Sequence, residues 1–159
     1  MKNISQHITY KEATKSNTAI KYGIDNTPTN YELSKLKDVA ENIFEPLRGR
    51  WGIPIAVTSF FRSKALNKKI GSASKSQHCK AEAIDMDADV FGGITNKQIF
   101  DFNKDNLEFD KLSWEFGDDN EPNWVHCSYV KGNNRKQVLV TYKETNIFGI
   151  KKTKYKYYE

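Results

Sequence analysis

Ser76-Gln77-His78-Cys79-Lys80-Ala81-Glu82-Ala83-Ile84-Asp85 joins a polar loop to a strand-like run, and Trp124-Val125-His126-Cys127-Ser128-Tyr129 is a second such run further on. In the first, Ala83, Asp85 and Asp87 alternate with Ile84 and Met86, so the acidic side chains share one face of a strand. In the second, His126 lies between Val125 and Cys127, which puts its imidazole on the face opposite to theirs. A turn can hold His78 while Asp85 projects from the next strand and His126 from a neighbouring one. All three then meet above one sheet face. Two imidazoles and one carboxylate make a three-ligand zinc set, which leaves a fourth position for water, as catalytic zinc sites do.

The segments around these runs read as an α+β fold: a small antiparallel sheet with flanking helices. Residues 112–116, a turn through 117–123 and residues 124–130 form an expected β-hairpin. Upstream, Thr27 is an expected N-cap with Pro28 in the first helical position. Leu33, Leu36, Ala40, Ile43, Phe44 and Leu47 then recur at helical spacing, and Pro46 bends or ends that helix. Ile53, Ile55 and Val57 alternate as a strand, Ser63 caps a short helix stopped at Gly71, and Thr95 caps another through about Asp105. The first twenty residues read as an irregular polar arm. Val138-Leu139-Val140 and the Lys- and Tyr-rich end read as edge strands.

A carboxylate near the metal set would serve as general base. Glu115 lies on its strand opposite in facing to Trp114 and Phe116, and a register pairing residues that sum to 241 sets it across from His126. Glu121, in the turn, is the rival. Arg62 offers a guanidinium for a peptide carboxylate or an oxyanion. Ser76 and Gln77 are candidates to bind substrate or orient His78, and Trp124 to wall a cleft. Asp85-Met86-Asp87-Ala88-Asp89 opens like a calcium loop, but Val90 and Asn96 stand where glycine and glutamate are needed. His7 reads as structural.

Cys79 and Cys127 fit no metal knuckle and read as free thiols. The net charge of +5 over 159 residues suits polyanionic partners, and a solvated lysine-rich surface explains it equally well. The basic end, residues 141–159, has the same two readings, a wall polymer or nucleic acid on one side and a solvated edge strand on the other. No helix-turn-helix is visible, so no specific nucleic-acid partner is expected. No run is apolar enough to span a membrane, and residues 1–7 carry no signal-peptide core, so synthesis in the cytoplasm is expected.

Four blocks in order resemble peptidase family M15, the D-Ala-D-Ala carboxypeptidase and phage endolysin family that shares its core with the hedgehog signalling domain. The family pattern Ser-x-His-x-x-Gly-x-Ala-x-Asp is matched by Ser76, His78, Ala83 and Asp85, with Ala81 where glycine usually stands. That change matters only if the backbone there needs a positive φ. Thr58-Ser59-Phe60-Phe61-Arg62-Ser63-Lys64-Ala65-Leu66-Asn67 resembles the family's arginine block, residues 109–116 with 124–129 its C-terminal strands, and residues 23–28 with 45–48 its opening. The length suits a single domain over residues 1–159, and the resemblance, which reaches about Val140, implies that it is a peptidase domain with one Zn2+ on His78, Asp85 and His126, Glu115 as catalytic base and Arg62 in the cleft. It implies hydrolysis of a peptidoglycan stem peptide, as a D,D-carboxypeptidase or an endopeptidase; a monomer is expected, and the absence of a signal-peptide core suits holin-type release or a place on a virion. The alternative is a zinc-containing binding or phage structural module without hydrolysis.

Overall fold

The computed structural model describes residues 3–159; Met1 and Lys2, the start of the expected arm, lie outside the described residues. Six strands form one sheet in the order β1-β2-β4-β3-β5-β6: β1 (Ala56–Ser59), β2 (Ala83–Asp87), β3 (Lys111–Glu115), β4 (Trp124–Ser128), β5 (Gln137–Thr145) and β6 (Lys151–Tyr157). The helices are α1 (Tyr10–Thr14), α2 (Asn17–Tyr22), α3 (Asn30–Val39), α4 (Glu45–Trp51), α5 (Lys64–Lys69) and α6 (Asn96–Asn106). The α+β class is as expected. The sheet is larger than expected and mixed, because β5 runs parallel to β3.

Period-two alternation divides the sheet into two faces. Ile84, Met86, Leu112, Trp114, Val125 and Cys127 are buried on one, in a core shared with Leu36, Val39, Ile43, Phe44 and Leu47 and with Ile99 and Phe100 of α6. Asp85, His126, Ser113 and Glu115 alternate with them and belong to the other.

The hairpin register differs from expectation. Lys111 pairs with Ser128 and Glu115 with Trp124, so Ser113, not Glu115, stands across from His126. The offset is two residues, and an even offset leaves every side chain on its expected face. The turn sets it: Gly117 has φ +74°, and a Cβ there would lie 2.0 Å from the Glu121 carbonyl oxygen. The parallel pairing of β5 comes from the loop after β4. That loop returns to the start of β3, where the Lys136 and Gln137 amides donate to the Phe109 and Asp110 carbonyls at 3.1 and 3.0 Å. β5 is therefore internal, and β6 alone is the edge on that side.

Four further expectations shift. The N-terminal arm is not irregular. Thr9 and Glu12 form a reciprocal capping box on α1, Ser16 caps α2, and Ile4, Ile8 and Ala13 are buried in the core. The long helix starts two residues later than expected, because Thr29 and Glu32 form its capping box. Pro46 neither ends nor interrupts it: one π turn over Ala40–Phe44 widens the helix just before the proline, and α4 continues to Trp51. β1 begins at Ala56, short of the expected Ile53.

Ser63 caps α5 and Thr95 caps α6 as expected. Between α5 and β2, a 3-10 turn over Gln77–Lys80 carries His78 and ends on Ala81 with φ 56° and ψ 34°. The backbone therefore does need the left-handed conformation at this position. Alanine there costs about 1–2 kcal/mol, while its buried methyl returns about 0.8 kcal/mol. Ala81→Gly should leave stability unchanged or raise it by up to about 1 kcal/mol in urea denaturation, against the loss of about 0.5–1 kcal/mol usual for this exchange. A loss of that usual size would show that the left-handed alanine carries no strain.

Candidate metal centre and catalytic cleft

Three elements converge on the polar face. His78 comes from the 3-10 turn, Asp85 from the middle of β2 and His126 from its register partner on β4. Asp85 Oδ1 lies 3.2 Å from His78 Nε2 and 2.8 Å from His126 Nδ1, and the imidazole centroids are 5.2 Å apart. All three side chains are buried, and one donor atom from each lies within 4.8 Å of the others. A tetrahedral zinc with bonds near 2.1 Å holds its donors about 3.4 Å apart, so the cluster is close to that spacing.

The electrostatics fit the same use. His78 Nδ1 lies 2.7 Å from the Phe60 carbonyl oxygen, which can only accept, so the ring proton belongs on Nδ1. In a neutral ring Nε2 then turns a lone pair toward the Asp85 carboxylate, an arrangement that a cation relieves. Burial lowers the His126 pKa to about 4 against the pull of Asp85, leaving a neutral imidazole near pH 7. Burial works to raise the Asp85 pKa, but the two histidines beside it outweigh that and hold the carboxyl well below the usual range. A neutral His126 and an ionised Asp85 are in the protonation states that zinc binding requires of them.

Arg62 is held beside the cluster. Its Nε donates to Ser59 Oγ at 3.0 Å, one terminal nitrogen to Ser72 Oγ at 3.3 Å and the other to Asp85 Oδ2 at 3.4 Å. The guanidinium thus braces the oxygen of Asp85 that faces away from the histidines. A groove of about 530 Å³ beside β1 reaches this arginine, with Val57, Ser59, Phe61, Ile70 and Val90 among its walls. A larger hollow of about 1020 Å³ lies toward the end of β3, by Phe116 and Tyr158; none of the three clustered residues lines either space, and Arg62 connects the groove to the cluster.

Glu115 lies two residues along β3 from Ser113, the partner of His126, and pairs with Trp124 on one side and Thr141 of β5 on the other. Burial first, and the charge of Asp85 second, push its pKa up to about 7, against weaker opposition from the Thr141 hydroxyl and Lys111. That hydroxyl is buried and makes no hydrogen bond of full geometry. Glu121 is engaged elsewhere: its Oε1 accepts from the Lys97 amide at 2.7 Å in the first turn of α6.

The remaining sequence candidates divide. Trp124 is on the cluster's face of β4 and packs against Phe116 with centroids 5.3 Å apart. Gln77 points away from His78: its Nε2 donates to Asp110 Oδ2 at 2.7 Å, and Arg135 clamps the same carboxylate with two bonds of 2.7 Å. The Ser76 hydroxyl forms no hydrogen bond to His78 among the described residues; the Phe60 carbonyl orients that ring instead. His7 sits on Glu45 at 2.6 Å, far along the chain from the cluster. Cys79 and Cys127 are free, and burial pushes both thiols up. Sequence reasoning missed Ser113, Thr141, Lys111, Asp110 and Arg135. Only the alternation of β3 could have marked Ser113 and Lys111, and nothing local marks the others.

The family model described as Peptidase M15 matches residues 6–128, a span that runs from before α1 to the end of β4 and includes the whole cluster. No curated protein matches the chain. A match over most of the chain, with a buried His-Asp-His group inside it, places this protein in peptidase family M15.

Proposed function

We propose that this protein is a zinc-dependent peptidase that hydrolyses peptidoglycan stem peptides, as a D,D-carboxypeptidase or an endopeptidase. The observation that carries the reading is the buried cluster of two imidazoles and one carboxylate in a chain of a peptidase family. His78, Asp85 and His126 would hold the ion, and when bound zinc supplies Lewis acidity toward water and a peptide carbonyl. Glu115 takes the proton of the attacking water and returns it to the leaving amine, a role suited to a carboxyl whose pKa is about 7. Engagement of Glu121 at the start of α6 supports Glu115 over its rival. Arg62 fixes Asp85 and keeps N–H donors for the substrate, which we place in the groove beside β1. Trp124 walls the cleft. We place this activity at the cell wall, reached by holin-type release or on a virion.

Purified protein loaded with zinc should release fragments from peptidoglycan or defined stem peptides, identified by mass spectrometry. Glu115→Gln should lower kcat by about a hundredfold or more with zinc content unchanged. Absence of cleavage with stoichiometric zinc would replace the peptidase reading with a zinc-containing binding module.

Arg62→Met should weaken zinc binding about tenfold to a hundredfold in calorimetric titration, as loss of a group that orients a ligand does. An unchanged affinity would restrict Arg62 to substrate contact.

Glu115 also makes the metal-free protein pH-sensitive. Its folded pKa of about 7 lies above the ordinary 4.5, so the folded state binds the extra proton. The resulting stability is present below pH 4.5 and lost as pH rises through 7. In chelator, wild type should lose up to about 3 kcal/mol relative to Glu115→Gln across that window in denaturant titrations. Parallel curves would show that Glu115 is not buried as described.

A further inference from the structure

The β5–β6 hairpin lies beyond the family-matched residues and extends past the sheet. β3 pairs with β5 only as far as Thr141, whereas β5 and β6 stay paired to Thr145 and Lys151. A two-stranded ribbon of four residue pairs therefore projects about 13 Å at the usual strand rise. Its tip is apolar and solvent-facing: Ile147 is 93% exposed, Phe148 78% and Ile150 55%. Three large apolar side chains together at the end of a projecting ribbon are costly in water.

Four of the five amides of the tip, residues 146–150, are satisfied within it. The Asn146 amide donates to the Ile150 carbonyl at 3.0 Å and the Gly149 amide to the Asn146 carbonyl at 2.9 Å. The Asn146 side-chain oxygen accepts from the Phe148 and Ile150 amides at 3.0 and 2.9 Å. A turn that closes most of its amide hydrogen bonds strands few donors when its side chains enter an apolar phase at a polar interface. Directly behind it on the projecting ribbon stand Lys143, Lys151, Lys152 and Lys154, with Glu144 the one acid on the paired ribbon, 3.6 Å from Lys154. Cations behind an apolar tip match the layering of an anionic lipid surface, acyl chains within and phosphates outside. A second copy of the chain fits less well, because lysines along the edge strand repel one another. A wall polyanion or nucleic acid would account for the lysines and leave the apolar tip without a use.

We propose that the tip residues Ile147, Phe148 and Ile150, with the lysines behind them, dock this protein peripherally on an anionic lipid membrane. The proposal is independent of the peptidase reading, since its readout is lipid binding.

The test is cosedimentation of the full chain with phosphatidylcholine vesicles, with and without phosphatidylglycerol. Binding is expected only with phosphatidylglycerol, and salt should weaken it. Phe148→Glu should reduce partitioning at least tenfold. Replacing Lys151 and Lys152 by serine should reduce it about thirtyfold, from about 1 kcal/mol per lysine near such a surface. Both changes sit on exposed positions, so thermal unfolding and peptide hydrolysis should match wild type. Equal binding to both vesicle types, or no loss in Phe148→Glu, would overturn the proposal. Retention on isolated wall polymer that depends on the lysines and not on Phe148 would also overturn it, assigning the hairpin to a wall polyanion. So would self-association abolished by Phe148→Glu, which would assign the tip to a second copy.

Discussion

The Asp85 carboxylate is buried, and an ion taken out of water must find its compensation inside the protein. It finds it in His78, His126 and Arg62, each supplied by a different part of the chain. The 3-10 turn, β4 and the segment between β1 and α5 are thereby drawn to one point on β2. Removing one member of such a buried group leaves charge uncompensated and costs about 3–5 kcal/mol. The same contacts that make the cluster suitable for a cation also tie the loops to the sheet. Secondary contacts extend this tie: Arg62 holds Ser59 and Ser72, and its own amide donates to the His78 carbonyl at 3.3 Å.

Strand alternation separates this site from the core. Each of β2, β3 and β4 turns apolar residues to the helices and polar ones to the cleft, so the core can be packed without disturbing the cluster. Cys127 and His126 illustrate it. Adjacent in sequence, they face opposite ways, one buried in hydrocarbon and one beside a carboxylate. Parity also explains why the misjudged hairpin register did little harm. A shift of two residues moves Glu115 from the position across from His126 to the diagonal, still on the same face.

What could be read in the sequence was local. His78, Asp85 and His126 are legible because imidazoles are few and each sits in a short pattern that fixes its facing. Ser63 and Thr95 are legible because a cap acts on an amide three residues away. The Thr9–Glu12 and Thr29–Glu32 boxes carry the same signal, and it outweighs the polar composition of the first segment and the pull of Pro28. Long-range facts were not legible. The Phe60 carbonyl that orients His78 is backbone, which no residue type announces. The parallel course of β5 depends on where the loop after β4 lands, and that landing is set by amide contacts to Phe109 and Asp110.

That course of β5 matters to the proposed chemistry. The family match ends at residue 128, yet Thr141 of β5 is the neighbour of Glu115 on its open side. Without β5, β3 would be an edge strand and the Glu115 carboxyl would stand nearer to water. Burial is the largest cause of its raised pKa, and nearness to Asp85 comes second. The cluster and the carboxyl beside it therefore have different origins in the chain. The metal-ligand candidates rest wholly on residues within the family match, whereas the second strand flanking the proposed base comes from outside it. With β4 on one edge and β5 on the other, Glu115 lies between two strands; β5 thus adds to the burial that raises its pKa, while the Thr141 hydroxyl it brings acts the other way.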